Sequence, residues 1–530
     1  MATLTYTAIE DIPKIRETAR KAFESGRTQS IAFRKEQIAQ VGWLIKDNEE
    51  RLREALHTDL GRHPQETDLL DFGSALGEVR TAYDNIEKWV KPQKIDFSLN
   101  WFAMGPKYVP EPKGVVLIIA PFNLPMFLLL GPLVSAIAAG DAAVLKPSEQ
   151  TPVTSQLIAE LVPKYLDPEL YHVVNGGVPE TTKLLELQWD HSRIFALLYP
   201  ILGNGRVGRI IAQAAAKHLT PITLEVSCSC SPGKNPVVVD PKVDVKMTAK
   251  RLLWGRFSNA GQICLAPEYV LVPAEFQDTL VEALKEAYQS FYPEGPEKSD
   301  SISRIVNEAH TSRIKRLVDE TKGKIVLGGQ ADVSKRYIAP TVVRDVPLDD
   351  SLMSEEIFGP VLPLVPVKDV DEAISVIKAR EYPLAVYVFS TDKKFQEKVF
   401  KNTKSGAAVA NETVISAGVP GLPVGGIGPS GYGYYSGKHC FEQFTHYRVS
   451  LDNPGWVDRV AFGFRYPPYK PDYKKYLRAI NASLPPRPGT AAAKSLAKRW
   501  GFWILFALVG ASSVLLTKSG RLPQLKALLK

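Results

Sequence analysis

Between residues 114 and 177 the chain repeats one pattern, a short unbroken apolar run followed by a longer helical one. "GVVLIIA" (114–120) gives way to "LPMFLLLGPLVSAIAAG", then "AAVLK", then "TSQLIAELVPKYL", then "YHVVNGG". Short β-branched runs without polar alternation are strands covered on both faces, and the intervening helices supply the cover. The pattern therefore predicts an α/β protein with a parallel, doubly wound sheet. Ligands of such sheets bind beyond the carboxyl ends of the strands. The residues to examine are those just past each run: Asn123, Lys146 and the turn Gly203-Asn204-Gly205-Arg206-Val207-Gly208. That turn leads into "RIIAQAAAKHL", a helix whose free N-terminal amides and dipole suit a phosphate. Its spacing is not that of the dinucleotide fingerprint, and an ordinary loop-to-helix turn fits the residues equally well.

The ends of the chain differ from its body. The N-terminal "MATLTYTAIEDIPKIRETARKAF" reads as a helix, with Ile15, Ala19, Ala22 and Phe23 at helical spacing, and lacks the apolar core of a secretory signal. From Trp500 to Thr517 eighteen residues pass without a charge, flanked by Lys498, Arg499, Lys518 and Arg521. As a helix this stretch would be roughly 27 Å long, near the thickness of a bilayer's hydrocarbon core. The expectation is a single-pass C-terminal membrane anchor over 496–530, on the mitochondrial outer membrane, the endoplasmic reticulum or lipid droplets. A buried core helix is the alternative. With 530 residues the chain has room for two or three domains. Four cysteines do not make a disulfide framework, and a net charge of +8 dispersed among 57 acidic residues gives nucleic-acid binding no support.

"FSNAGQICLAPEYVLV" (257–272) places Cys264 between a small-polar loop and an apolar strand. By itself this cysteine reads as an inert buried hydrophobe or as a stabilised thiolate, and the residues do not choose. A second pair, Cys228 and Cys230 in "LEVSCSCSPGK" (224–234), lies one residue apart. A metal site would need further ligands and a disulfide there would close a strained ring, so an interruption of another motif is the better reading.

Taken in order, "APFNLP", "LKPSEQTP", "GNGRVGRIIAQAAAKHLTPITLE", "NAGQICLAPEYV", "EEIFGPVLPL" and "LPVGGIGPSGYG" resemble the signature blocks of the aldehyde dehydrogenase superfamily over roughly residues 10 to 450. "GQICLAPEYV", the later "GKH" and the apolar tail resemble its class 3 branch, the fatty aldehyde dehydrogenases of membranes. The resemblance implies NAD(P)-dependent oxidation of medium- and long-chain aliphatic aldehydes to acids by a homodimer. Cys264 would be the nucleophile, forming a thiohemiacetal and then a thioester. Asn123 would hold the oxyanion, and Glu225 would be the general base. Lys146 and Glu149 would contact the adenosine ribose, Gly203 and Gly208 would lie beside the pyrophosphate, and Glu356 and Phe358 would position the nicotinamide. Glu149 beside a ribose disfavours a 2′-phosphate, so NAD is expected before NADP. No metal is implied.

The implied organisation is a Rossmann-like cofactor domain over 1–225 with an arm strand near 97–113, and a catalytic domain over 226–425. A return segment and oligomerisation arm would cover 426–455, a linker 456–495 and the anchor 496–530. The chain departs from the family pattern twice. "SRIFALLYPIL" (192–202) stands where about four residues form a strand, and "VSCSCSPGK" adds about five residues after Glu225. Both segments can be encoded largely by pyrimidines and end where an AG can precede a G, as translated intron ends would. The second expectation is therefore a membrane-anchored relative whose catalysis is impaired by insertions near 192–202 and 226–232.

Overall fold

The computed structural model describes residues 4–195, 204–225, 234–469, 471–474 and 477. Two units divide the chain, one of residues 1–94 and 107–450, the other of 95–106 and 451–530. Among the described residues the large unit holds two mainly parallel sheets, a three-stranded antiparallel one, and a two-stranded antiparallel pair of Ala331–Asp332 with Tyr337–Ile338.

The first sheet is built from the apolar runs. Val115–Ile119, Ala142–Lys146 and Tyr171–Val173 lie side by side in parallel, and His191–Phe195 and Ile222–Glu225 continue the sheet from the other edge of Val115–Ile119. The strand order therefore reverses between Val115–Ile119 and His191–Phe195, which is where such a sheet opens a ligand crevice. Gly431–Tyr432 closes the edge, antiparallel to Ile222–Glu225. Helix Phe127–Ala139 is buried at every residue, as an all-apolar helix between covered layers must be. Helix Asn204–Ala216 comes after His191–Phe195 in the chain.

The second sheet has seven strands, in the order Lys324–Leu327, Thr341–Arg344, Val361–Val367, Tyr269–Pro273, Pro236–Val239, Ala385–Phe389 and Ala407–Ala410. All its pairings are parallel except that between Lys324–Leu327 and Thr341–Arg344. Val237 and Val239 enter the core on one face while Val238 enters the core on the other, the alternation a pleated strand imposes. In the third sheet Lys107–Pro112 lies between Gln93–Lys94 and the edge strand Thr445–Ser450.

In the small unit Met104, Val457 and Phe462 form a minor core, and Trp101 packs on Phe462 with ring centroids 5.2 Å apart. Among the described residues no helix is long and apolar enough to cross a membrane. The anchor expected over 496–530 lies outside the described residues, as do Cys228, Cys230, Pro200 and Gly203. Of the first departure, Ser192–Phe195 are strand, with Ser192, Arg193 and Ile194 paired on both sides and Phe195 paired with Glu225.

Candidate active site

Strand direction places the first residues of the site. Lys146 ends one strand and Glu225 another, both at the carboxyl edge of the first sheet, and Asn123 follows the central strand by a short turn. Lys146 is fully buried and its Nζ pairs with Glu149 at 2.5 Å. Gly208 is buried within helix Asn204–Ala216, whose N-terminal turn follows the strand across the switch point.

The loop that carries Cys264 is held at several points. Asn259, Ala260 and Gly261 all take left-handed backbone angles before Cys264. Gly261 passes so close to Gly359 that a Cβ would sit 2.3 Å from the Gly359 carbonyl oxygen, so only glycine fits the crossing. Beyond it, Asn235 Nδ2 donates to the carbonyls of Cys264 (2.7 Å) and Ala266 (3.0 Å), and the Tyr387 hydroxyl donates to that of Leu265 (2.6 Å).

Asn123 is tied to the same loop. Asn259 Nδ2 donates to the Asn123 carbonyl (2.9 Å) and to that of Gln262 (3.1 Å), two residues before Cys264. Arg62, buried and paired with Asp71, donates to the Asn123 carbonyl as well. The Asn123 side chain is left with Oδ1 and Nδ2 both buried and without a partner among the described residues. A buried amide in that state is costly unless something arrives to satisfy it.

Glu225 is buried too, and neither carboxylate oxygen makes a hydrogen bond of ordinary geometry among the described residues. Burial pushes its pKa up, opposed by the Cys264 thiol, Arg193 and the Tyr435 hydroxyl close by. Burial, and then the Glu225 charge, push the Cys264 thiol well above its usual range. In this resting state the proton therefore stays on sulfur until a substrate or base draws it off. A recess of about 10 Å³, close to the minimum for one water, is bordered by Glu225, Arg193, Thr223 and Tyr435.

Cys264 and Tyr435 also line a cavity of about 510 Å³ whose remaining walls are mostly apolar, among them Leu124, Phe127, Leu128 and Trp254. On another side of the loop lies the segment Glu355–Phe358. Glu356 is half-buried, and its carboxyl is pushed up to about 8 by loss of solvent and by neighbouring Glu268. Phe358 holds a left-handed φ of 47° and packs edge-on against Phe122, the residue before Asn123, at 5.9 Å.

The structure thus brings Asn123, Glu225, Cys264, Glu356 and Phe358 around one loop, with Lys146 and Glu149 at the carboxyl edge of the first sheet and Gly208 inside helix Asn204–Ala216. Sequence reasoning missed Arg62, Asp71, Asn259, Arg193 and Tyr435, along with the buried ions Lys234, Arg256 and Glu268. Lys234 and Glu268 stood inside quoted motifs, but nothing local marks two residues 34 apart as partners. Among the described residues no cluster of His, Cys, Asp and Glu could hold a metal ion.

The Aldehyde dehydrogenase family profile matches residues 1–449. Aldehyde dehydrogenase family 3 member B2 of Mus musculus is 42% identical over 452 residues, 85% of this chain and 91% of that one. The solved substrate-bound state of Staphylococcus aureus AldH superposes with a TM-score of 0.82 at 36% identity, covering 88% of this chain and 98% of that one. A Mycobacterium tuberculosis aldehyde dehydrogenase, solved in complex with NAD+, gives a TM-score of 0.75 at 25% identity over 85% of this chain and 92% of that one. With its strand order, its buried thiol loop and these matches in agreement, the chain belongs to the aldehyde dehydrogenase family.

Proposed function

We propose that the chain oxidises medium- and long-chain aliphatic aldehydes to carboxylic acids, with NAD as the preferred oxidant. The observation that carries this reading is the Cys264 thiol in the wall of a mostly apolar cavity of about 510 Å³, with the Glu225 carboxylate beside it. An alkyl chain gains about 0.8 kcal/mol per methylene on entering such a cavity, while the carbonyl end is drawn to the unsatisfied Asn123 amide.

The residues support a definite sequence of events. As the carbonyl carbon approaches, the sulfur of Cys264 adds to it, and the thiol proton passes to Glu225. The oxygen, now carrying charge, is held by Asn123 Nδ2 and the Cys264 backbone amide. When bound, the nicotinamide cofactor supplies the hydride acceptor that turns the thiohemiacetal into a thioester. Once Glu225 has released the thiol proton to solvent, it takes a proton from a water in the adjoining recess. The hydroxyl adds to the thioester carbon, the C–S bond breaks, the proton on Glu225 returns to sulfur, and the acid leaves.

The cofactor fits the residues present. The N-terminal amides of helix Asn204–Ala216, which contains Gly208, suit a pyrophosphate. The Lys146–Glu149 pair suits a ribose, and half-buried Glu356 with Phe358 suits the nicotinamide half. A carboxylate at position 149 favours NAD over NADP, because it repels a 2′-phosphate. The uncharged stretch 500–517 supports a C-terminal anchor. The edge of Thr445–Ser450, without a strand partner among the described residues and with Val449 exposed, supports pairing with a second copy.

Detergent-solubilised full-length chain should form NADH with hexanal, decanal and hexadecanal. Its kcat/KM should rise about fourfold per added methylene until the cavity is full. Cys264→Ser should abolish NADH formation. A folded chain that forms no NADH with any of the three would overturn the proposal in favour of the catalytically impaired relative.

A further inference from the structure

Lys234 and Glu268 form a fully buried ion pair, 2.9 Å apart, that the steps above do not use. Burial alone would push the Glu268 carboxyl up, but Arg256 and Lys234 outweigh it and keep Glu268 ionised. A pair of this kind is poor evidence for stability, because desolvating two charges offsets their attraction. Its contacts point to another use.

Lys234 Nζ donates to the carbonyls of Leu352 and Glu355, both at 2.8 Å. Glu268 Oε2 accepts from the Ile357 amide at 2.9 Å. Arg313 adds two further bonds, from Nη1 to the Glu356 carbonyl (3.0 Å) and from Nη2 to the Ile357 carbonyl (2.7 Å). Four side-chain bonds thus hold the backbone from Glu355 to Ile357, just before Phe358 with its strained φ. The same pair reaches the thiol loop. Glu268 lies four residues after Cys264, and its amide donates to the carbonyl of Asn235, the residue that follows Lys234 and holds the Cys264 and Ala266 carbonyls.

We propose that Lys234 and Glu268 are positioning residues that fix the Glu355–Phe358 segment against the Cys264 loop, so that the nicotinamide end of the cofactor meets the substrate carbon at reactive separation. This deepens the function proposed above and rests on it. A buried salt bridge serving two loops at once couples their positions, and Arg313 reinforces the cofactor side alone. Reactions of the thiol that need no hydride acceptor do not depend on that spacing.

The test uses full-length Glu268→Gln and Arg313→Gln beside the parent chain, with three measurements. These are hydrolysis of 4-nitrophenyl acetate without cofactor, the rate of the first NADH turnover with decanal, and the affinity for NAD from quenching of tryptophan fluorescence. Misplacement by about 1 Å can cost a hundredfold, so the first-turnover rate should fall about ten- to a hundredfold in both variants. NAD affinity should weaken, and ester hydrolysis should be unchanged. Parallel loss of ester hydrolysis and NADH formation would overturn the proposal, and so would no change in either. Should Glu268→Gln not fold, Glu268→Asp, which keeps the charge but draws it back from Lys234 and the Ile357 amide, decides by the same criteria. A parent chain that hydrolyses the ester yet forms no NADH would count against the function proposed above, and the NAD affinities would still judge the positioning role.

Discussion

Glu225 and Glu268 are both buried beside the Cys264 loop, and their surroundings are opposite. Glu268 has Arg256, Lys234 and the Ile357 amide as partners, and stays ionised despite its burial. Glu225 has no bond of ordinary geometry among the described residues and is pushed up by burial. Position along a polar-to-apolar gradient thus gives identical side chains different work, one holding backbone in place and the other ready to change its proton count. Carboxylates whose surroundings drive their pKa values apart divide acid–base labour in this way.

The sharpest way to break this comparison is to neutralise Glu225. Glu225→Gln should lower steady-state turnover by about 10² to 10⁴. If the thiol still adds, one equivalent of NADH per active site should appear before the reaction stalls as thioester, as a rapid-mixing experiment would reveal. An unaltered steady-state rate would remove Glu225 from the mechanism.

Removing a partner of Glu268 should act on folding instead. Arg256→Met leaves a buried charge with one cation fewer, and losing one partner of a buried pair costs about 3–5 kcal/mol. Denaturant unfolding of parent and variant checks this, and equal midpoints would show that Lys234 alone satisfies Glu268.

The smallest effect is the stability of Glu225→Gln as pH rises. A carboxyl raised in the folded state contributes stability that is intact below its unfolded pKa and is lost as pH rises through the folded value. The parent should therefore lose thermal stability relative to the variant as pH rises above the unfolded carboxyl value of about 4. Parallel melting curves across that range would show that the Glu225 charge is satisfied after all.

How much of this could be read in advance follows from what each feature depends on. The apolar runs at 114–120 and 142–146 are strands because their whole length is covered, and Asn123 and Lys146 follow from where those strands end. Cys264 could not be chosen from its own residues, since its setting comes from Asn235, Tyr387 and Glu225, far away in the chain. Glu268 and Lys234, and likewise Arg62 and Asn259, are partners across 34 and 197 residues, and no periodicity reports such pairs. The added segments expected near 192–202 and 226–232 fall largely outside the described residues. Ser192–Phe195 are the exception, and they carry Arg193 under the Tyr435 ring, 5.2 Å from its centroid.

The short strand Gly431–Tyr432 reaches back across some two hundred residues to cover Glu225. During synthesis, then, the sulfhydryl and the carboxylate beside it emerge from the ribosome well before the piece that completes their surroundings. A polypeptide halted near residue 425 would expose a bare sheet margin and an unfinished reaction chamber. Aldehyde chemistry must wait for nearly the whole body of the enzyme to be translated, and a cell that reads a stop codon early gains no partial catalyst.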